Sequence, residues 1–141
     1  MEFSRKGVLR RMSLRILVVD DSEAIRQAVR TCIESNTDWQ VCAEAENGAV
    51  ALERVRELNP DIVILDLSMP GMNGLDLARE IAATALQTRM IMFTSYDCEQ
   101  LIKEAQEVGI SKVVTKSGGD MVHYLLAAIR DVMTKRDRDA A

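Results

Sequence analysis

An unbroken apolar run, Ile62-Val63-Ile64-Leu65, ends on Asp66 and is followed at once by Leu67-Ser68-Met69-Pro70-Gly71-Met72-Asn73-Gly74. No other stretch constrains the fold as tightly. Branched apolar residues without polar alternation suit a strand buried on both faces, as in a parallel sheet covered by helices. The Pro and Gly signals then stop it abruptly. Asp66 is therefore expected at the carboxyl end of a central parallel strand, the edge at which open α/β sheets gather their chemistry.

The same pattern recurs along the chain. Arg15–Val19 is a second buried run, ending in Asp20-Asp21-Ser22. From Glu23 the period changes: Ile25, Val29, Cys32 and Ile33 recur at helical spacing, with Arg26, Gln27 and Arg30 on the opposite side. Ser22 or Asp21 can cap that helix, Glu23 suits its positive end, and residues 36–38 close it. Gln40–Ala45 has weaker patterning and reads as a strand near the sheet edge. Ala51, Val55 and Leu58 mark a second helix, stopped by Asn59-Pro60. A third helix is predicted over 75–83. Residues 90–94 form a buried strand ending in Thr94-Ser95. Leu101, Ile102, Ala105 and Val108 mark a fourth helix, halted by Gly109. Lys112–Thr115 is the fifth strand and runs into Lys116. A last helix is predicted over about 120–133, buried through Val122, Leu125, Ile129 and Val132, with a charged tail that frays from Lys135. Short buried strands alternating with helices imply an α/β fold, a parallel sheet joined by right-handed crossovers and covered on both faces.

With 141 residues the chain suffices for one domain with a real core and is short for two. A net charge of −4 argues against a broad nucleic-acid surface. No apolar run approaches the ~20 residues of a transmembrane helix. Residues 1–13 carry Arg5, Lys6, Arg10 and Arg11 without an apolar stretch behind them. They read as a disordered basic leader rather than a secretory signal or a phosphate- or membrane-binding arm. Cys32, Cys42 and Cys98 each fall in an apolar pattern, so buried reduced thiols and a cytoplasmic location are expected. His123, the one histidine, has no partner for a zinc site and is expected on the surface of the last helix.

Four strand ends meet on one edge: Asp20 and Asp21, Asp66, Thr94, and Lys116. Taken singly, each has a bland role as a helix cap, a turn residue or a solvated charge. Together they form a carboxylate, hydroxyl and ammonium cluster. Two carboxylates ~4 Å apart repel by roughly 4 kcal/mol at an effective dielectric near 20. Three need cations, or must protonate or separate. Lys116 supplies one positive charge and a divalent metal two more. An all-oxygen donor set favours Mg²⁺, with Mn²⁺ as a substitute. A carboxylate beside such a metal and a lysine can attack a phosphoryl group, and Asp66 is the central one.

This set of residues, on five βα units, resembles the receiver domain of two-component response regulators, over about residues 14–134. Glu44-Ala45-Glu46-Asn47-Gly48 and Lys116-Ser117 are similar to the NarL/LuxR-type branch. The resemblance implies a flavodoxin-like, doubly wound (βα)5 sheet of order 2-1-3-4-5. It implies that Asp66 is the phosphoacceptor. Asp21 and Asp66 would ligate Mg²⁺ directly, Asp20 through water, and Ser68 by its backbone carbonyl. Thr94 and Lys116 would take phosphoryl oxygens. Phosphorylation would switch the face of helix four, strand five and helix five, with a sensor histidine kinase or phosphotransfer protein as donor.

Two departures stand out. Val113 occupies the position of a rotating Tyr or Phe, so either Tyr96 serves as a substitute switch residue or output is weak or unusual; the Tyr96 ring either shields the acyl phosphate or packs on helix four. Ser117 replaces the usual proline, so a trans bond is expected there.

The rival readings are weaker. A haloacid-dehalogenase-type phosphatase needs an Asp where Ser68 stands, and a flavodoxin needs a phosphate loop where Asp20-Asp21 stand. A phosphorylation-independent interaction module is consistent with Val113. No helix-turn-helix is legible, so output is expected through an unidentified protein or an effector domain of a longer regulator rather than by direct nucleic-acid binding. A homodimer through helices four and five, or one and five, is compatible with the pattern. No enzymatic activity beyond its own phosphorylation and dephosphorylation is expected.

Overall fold

The structure is a computed structural model. It describes residues 13–96 and 98–140, with side chains through Lys135. The predicted basic leader lies, apart from Ser13, outside the described residues.

Five strands form one parallel sheet: β1 (Arg15–Val19), β2 (Gln40–Ala45), β3 (Ile62–Leu65), β4 (Arg89–Thr94) and β5 (Lys112–Thr115). Five helices alternate with them: α1 (Glu23–Asn36), α2 (Gly48–Leu58), α3 (Gly74–Thr84), α4 (Glu99–Glu107) and α5 (Met121–Ala140). The strand order is 2-1-3-4-5, the expected flavodoxin-like arrangement. β2 lies at the edge as its weaker pattern implied. A register shift between Ile16 and Leu17 makes Cys42 an extra residue on that edge strand, a device that discourages further pairing.

Strand periodicity divides the core. On one face Leu17, Val19, Val63, Leu65, Met90 and Met92 pack with Ala51, Leu77, Ile81, Leu101 and Ala105 of α2, α3 and α4. On the other, Ile16, Val18, Ile62, Ile64, Ile91 and Phe93 pack with Val29 and Ile33 of α1 and Leu125 and Ile129 of α5. All four residues of β3 are buried, as a strand covered on both faces requires.

Local chemistry starts each of the first three helices just after a strand. Ser22 Oγ accepts from the Ile25 amide, Asn47 Oδ1 from Val50 and Asn73 Oδ1 from Asp76. Asn59 closes α2 in the left-handed conformation (φ 48°).

Several expectations are corrected. α5 does not stop near residue 133 but runs to Ala140. Residues 134–140 contain neither Gly nor Pro and several good helix formers, so nothing breaks the helix where its apolar period ends. The three thiols are free but not fully buried: Cys32 and Cys42 are half-buried, and Cys98 is exposed because it precedes α4 as its cap residue. Ile102 is 37% exposed and Val122 only half-buried. Arg26 and Arg30, placed opposite the apolar stripe of α1, are half-buried and paired. His123 is exposed as expected. No helix among the described residues is long and apolar enough to cross a membrane.

Candidate functional site

The ladder of the sheet continues one residue past the strands and fixes the backbone of the acidic residues. The Asp20 amide donates to the Ala45 carbonyl at 3.0 Å, and the Asp66 amide to the Val19 carbonyl at 3.1 Å. The Lys116 amide donates to the Thr94 carbonyl at 2.7 Å. Asp20, Asp66, Thr94 and Lys116 thus owe their proximity to strand register, a relation between residues far apart in sequence.

The side chains converge. Lys116 Nζ donates to Asp20 Oδ2 at 2.6 Å and to Asp66 Oδ2 at 3.0 Å. Asp20, Asp66 and Thr94 are buried; Asp21 is exposed. Asp20 Oδ1 also accepts the Ser22 amide at 2.9 Å. Burial pulls the Lys116 ammonium toward lower pKa, but hydrogen bonds and charge from Asp20 and Asp66 outweigh it and raise its pKa above the usual lysine value. The ammonium also lies 5.7 Å from the Phe93 ring centroid.

Asp20, Asp21 and Asp66 each offer an oxygen, all within 4.8 Å of one another. Two buried carboxylates and one exposed one, all oxygen donors with solvent on one side, fit a hard divalent cation that keeps several waters. Asp21 also lines an open cleft of about 770 Å³ with Glu46, Asn47, Pro70, Gly71 and Met72, which gives the acidic groups an approach from solvent.

Other predicted residues sit nearby. Ser68 is exposed on the turn after Asp66. The Thr94 hydroxyl accepts the Tyr96 amide at 3.4 Å, a long and weak bond, and the Tyr96 side chain is 53% exposed. Val113 is half-buried and packs on the cluster that includes Leu101 and Ala105 of α4. No peptide bond among the described residues is cis, Lys116–Ser117 included.

Two parts of the site escaped sequence reading. First, Arg26 Nε and Arg30 Nε donate to the two oxygens of Glu44 at 3.0 and 2.8 Å, while an Arg26 terminal nitrogen donates to the Asp20 carbonyl at 2.7 Å. This braces the strand end that carries Asp20 against β2. The signal was Arg at i and i+4 with an inward acid on a weakly apolar strand. Second, glycines permit close approaches: a Cβ on Gly74 would lie 2.2 Å from the Asp66 carbonyl oxygen, and one on Gly48 would lie 2.9 Å from Met72 Sδ.

Burial favours the neutral form of Glu44, but hydrogen bonds from Arg30 and Arg26 prevail and hold its carboxyl below the usual range. A depressed folded-state pKa contributes stability above the unfolded value of about 4.3, and that contribution is lost as pH falls through the folded value. Glu44→Gln is therefore expected to lower Tm at neutral pH and to narrow its difference from the parent below about pH 4. Thermal melts across that range check it, and a difference that widens in acid contradicts the assignment.

Comparison with known proteins agrees with this geometry. The model of the response regulator receiver domain matches residues 16–130. The transcriptional regulatory protein YdfI of Bacillus subtilis is 36% identical over 118 residues, 82% of this chain and 55% of that protein. This chain thus spans about half of YdfI. The chemotaxis protein CheY of Halobacterium salinarum is 34% identical over 123 residues, 87% of this chain and 99% of that protein. A LuxR-family two-component response regulator from Aurantimonas sp. superposes with a TM-score of 0.82 at 33% identity, covering 87% of this chain and 86% of that one. The response regulator domain of Thermotoga maritima CheB gives 0.79 at 32% identity, covering 86% and 97%. With five parallel strands in the order 2-1-3-4-5 and an acidic cluster at their carboxyl ends, the chain belongs to the response regulator receiver domain family of two-component signalling systems.

Proposed function

We propose that Asp66 accepts a phosphoryl group from a sensor histidine kinase or phosphotransfer protein. The observation that carries this reading is the part-buried Lys116 ammonium shared between Asp20 and Asp66, with Asp21 within metal-sharing distance. A carboxylate oxygen of Asp66 attacks phosphorus, forming a P–O bond as the bond from phosphorus to the donor nitrogen or oxygen breaks. The donor leaves with the electron pair.

Asp20, Asp21 and Asp66, with the Ser68 backbone carbonyl, would hold Mg²⁺ or Mn²⁺, which supplies charge neutralisation for the phosphoryl oxygens. Lys116 then exchanges part of its contact with Asp66 for a phosphoryl oxygen, and the Thr94 hydroxyl gives up its 3.4 Å bond to the Tyr96 amide for another. Because that bond is long, little opposes the move. Tyr96, released from that bond, rearranges and stands in for the ring that Val113 lacks, passing the change to the face of α4, β5 and α5. Output goes to an unidentified protein or an effector domain, from the cytoplasm, with no catalysis beyond the domain's own phosphorylation and dephosphorylation. The fixed packing of Val113 on the α4 side favours one second reading, docking independent of phosphorylation.

Labelling by a small acyl phosphate tests the metal and the shield. It is expected in Mg²⁺ and lost when a chelator is in excess; labelling unaffected by chelator removes the metal from the account. After dilution, Tyr96→Ala is expected to lose its label several-fold faster than the parent, and equal decay removes the shielding role.

A further inference from the structure

The edge of the sheet opposite the acidic cluster holds a second charged pocket. Arg89 opens β4 and Lys112 opens β5, so both lie at the amino ends of their strands. Arg89 and Thr94 stand at opposite ends of the six-residue strand β4, about 16 Å apart at strand rise. Arg89, Lys112 and Lys135, with Gln106 and Ser111, line a cavity of about 480 Å³ floored by Ile110 and Val132.

Three observations bear on its use. Arg89 Nε is buried without a hydrogen-bond partner, and it is the only such side-chain atom among the described residues. Buried donors are rarely left this way, and an ordered water or an ion is among the partners that satisfy them. Neither Arg89 nor Lys135 takes part in an ion pair among the described residues. The acid of the pocket, Asp131, is engaged by Lys112 at 2.6 Å. Among the described lining residues, three cations stand against one carboxylate, a formal excess of two positive charges.

We propose that this pocket binds a small doubly charged oxyanion, a phosphomonoester or a dicarboxylate. The planar guanidinium offers paired donors that match the two oxygens of a carboxylate or phosphate, and Lys135 adds a mobile point charge. The Ser111 hydroxyl and Gln106 amide can satisfy further oxygens. The volume exceeds that of bare phosphate and falls in the range of small-metabolite sites. A bound anion would tie the amino ends of β4 and β5 to the end of α4 and to α5, elements that lead at their other ends to Thr94 and Lys116. The inference does not depend on phosphorylation of Asp66.

The test titrates the full chain, free of Mg²⁺, with inorganic phosphate, glycerol 3-phosphate and succinate, following backbone amide NMR shifts and calorimetric heats. Saturable shifts at Arg89, Ser111 and Lys112 are expected, and the ranking of the three probes distinguishes phosphate from carboxylate and bare from esterified ligand. Arg89→Gln, which keeps the stem and removes the fork, is expected to weaken binding about tenfold or more. Lys135→Gln, at an exposed position, is expected to weaken it about threefold and decides the matter if Arg89→Gln does not fold. Shifts confined to the surroundings of Lys116 and Thr94 would overturn the proposal. So would affinities unchanged in the folded variants, or no binding of any probe up to about 20 mM.

Discussion

Gly74→Ala is expected to destabilise the domain by about 3 kcal/mol, lowering Tm by about 10 °C, although it adds one methyl group to a good helix-forming position. The added Cβ would lie 2.2 Å from the carbonyl oxygen of Asp66 and 2.9 Å from the Leu67 Cα. Both are backbone atoms at the end of the central strand, and the Gly74 amide donates to the Leu67 carbonyl at 2.8 Å. Neither can yield as a flexible side chain would. Either α3 lifts away, exposing Leu75 and Leu77, or the Asp66 backbone moves and the carboxylate leaves its place beside Lys116.

Gly48→Ala provides the contrast. Its Cβ meets the thioether sulfur of Met72 at 2.9 Å, and a methionine side chain can rotate away, so a loss nearer 1 kcal/mol is expected. Denaturant unfolding of both variants checks the pair. A Gly74→Ala protein within 1 kcal/mol of the parent would show that the close approach is not required.

Lys116→Met should have the other large effect, and it should depend on metal. In the parent the ammonium, with 10% of its side chain exposed, neutralises Asp20 and Asp66, which are 4% and 9% exposed. Removing one partner of a buried ionic cluster costs about 3 kcal/mol or more, because the remaining charges stay desolvated and repel one another. The metal-free variant is therefore expected to melt well below the parent. Added Mg²⁺ should recover much of the difference, since the three-carboxylate site is then without a competing ammonium. Thermal melts with and without Mg²⁺ measure both effects. A variant as stable as the parent without metal, or indifferent to Mg²⁺, contradicts the electrostatic account of the pocket.

How much of this was legible in the sequence follows from the range of each interaction. β1, β3, β4 and β5 were visible because each holds a local apolar run, and their polar ends were visible because Asp20, Asp66, Thr94 and Lys116 each interrupt one. Sheet order was not in the periodicity; it came with the resemblance, since which strand pairs with which is a long-range choice. The end of α5 was misread because hydrophobic periodicity reports burial, and a helix continues past its buried part when nothing breaks it.

The brace of Arg26, Arg30 and Glu44 was missed for a related reason. A charged residue on a helix reads as solvated until the facing strand is known to carry its partner. The requirement for Gly74 was hidden because Asn73-Gly74 reads as a turn, whereas the structure uses that glycine for contact with a residue eight positions earlier. Arg89 lies one residue before the strand predicted over 90–94, and only three-dimensional packing isolates its Nε.

The central claim is that Asp66 is the nucleophile that stores the signal as an acyl phosphate. Intact-mass measurement after incubation with acetyl phosphate and Mg²⁺ tests it most directly. The account predicts a mass increase of one phosphoryl group in the parent protein, reversed on standing, and no increase in Asp66→Asn. An adduct that persists in Asp66→Asn, or a parent that remains unlabelled by acetyl phosphate and phosphoramidate alike, would contradict it.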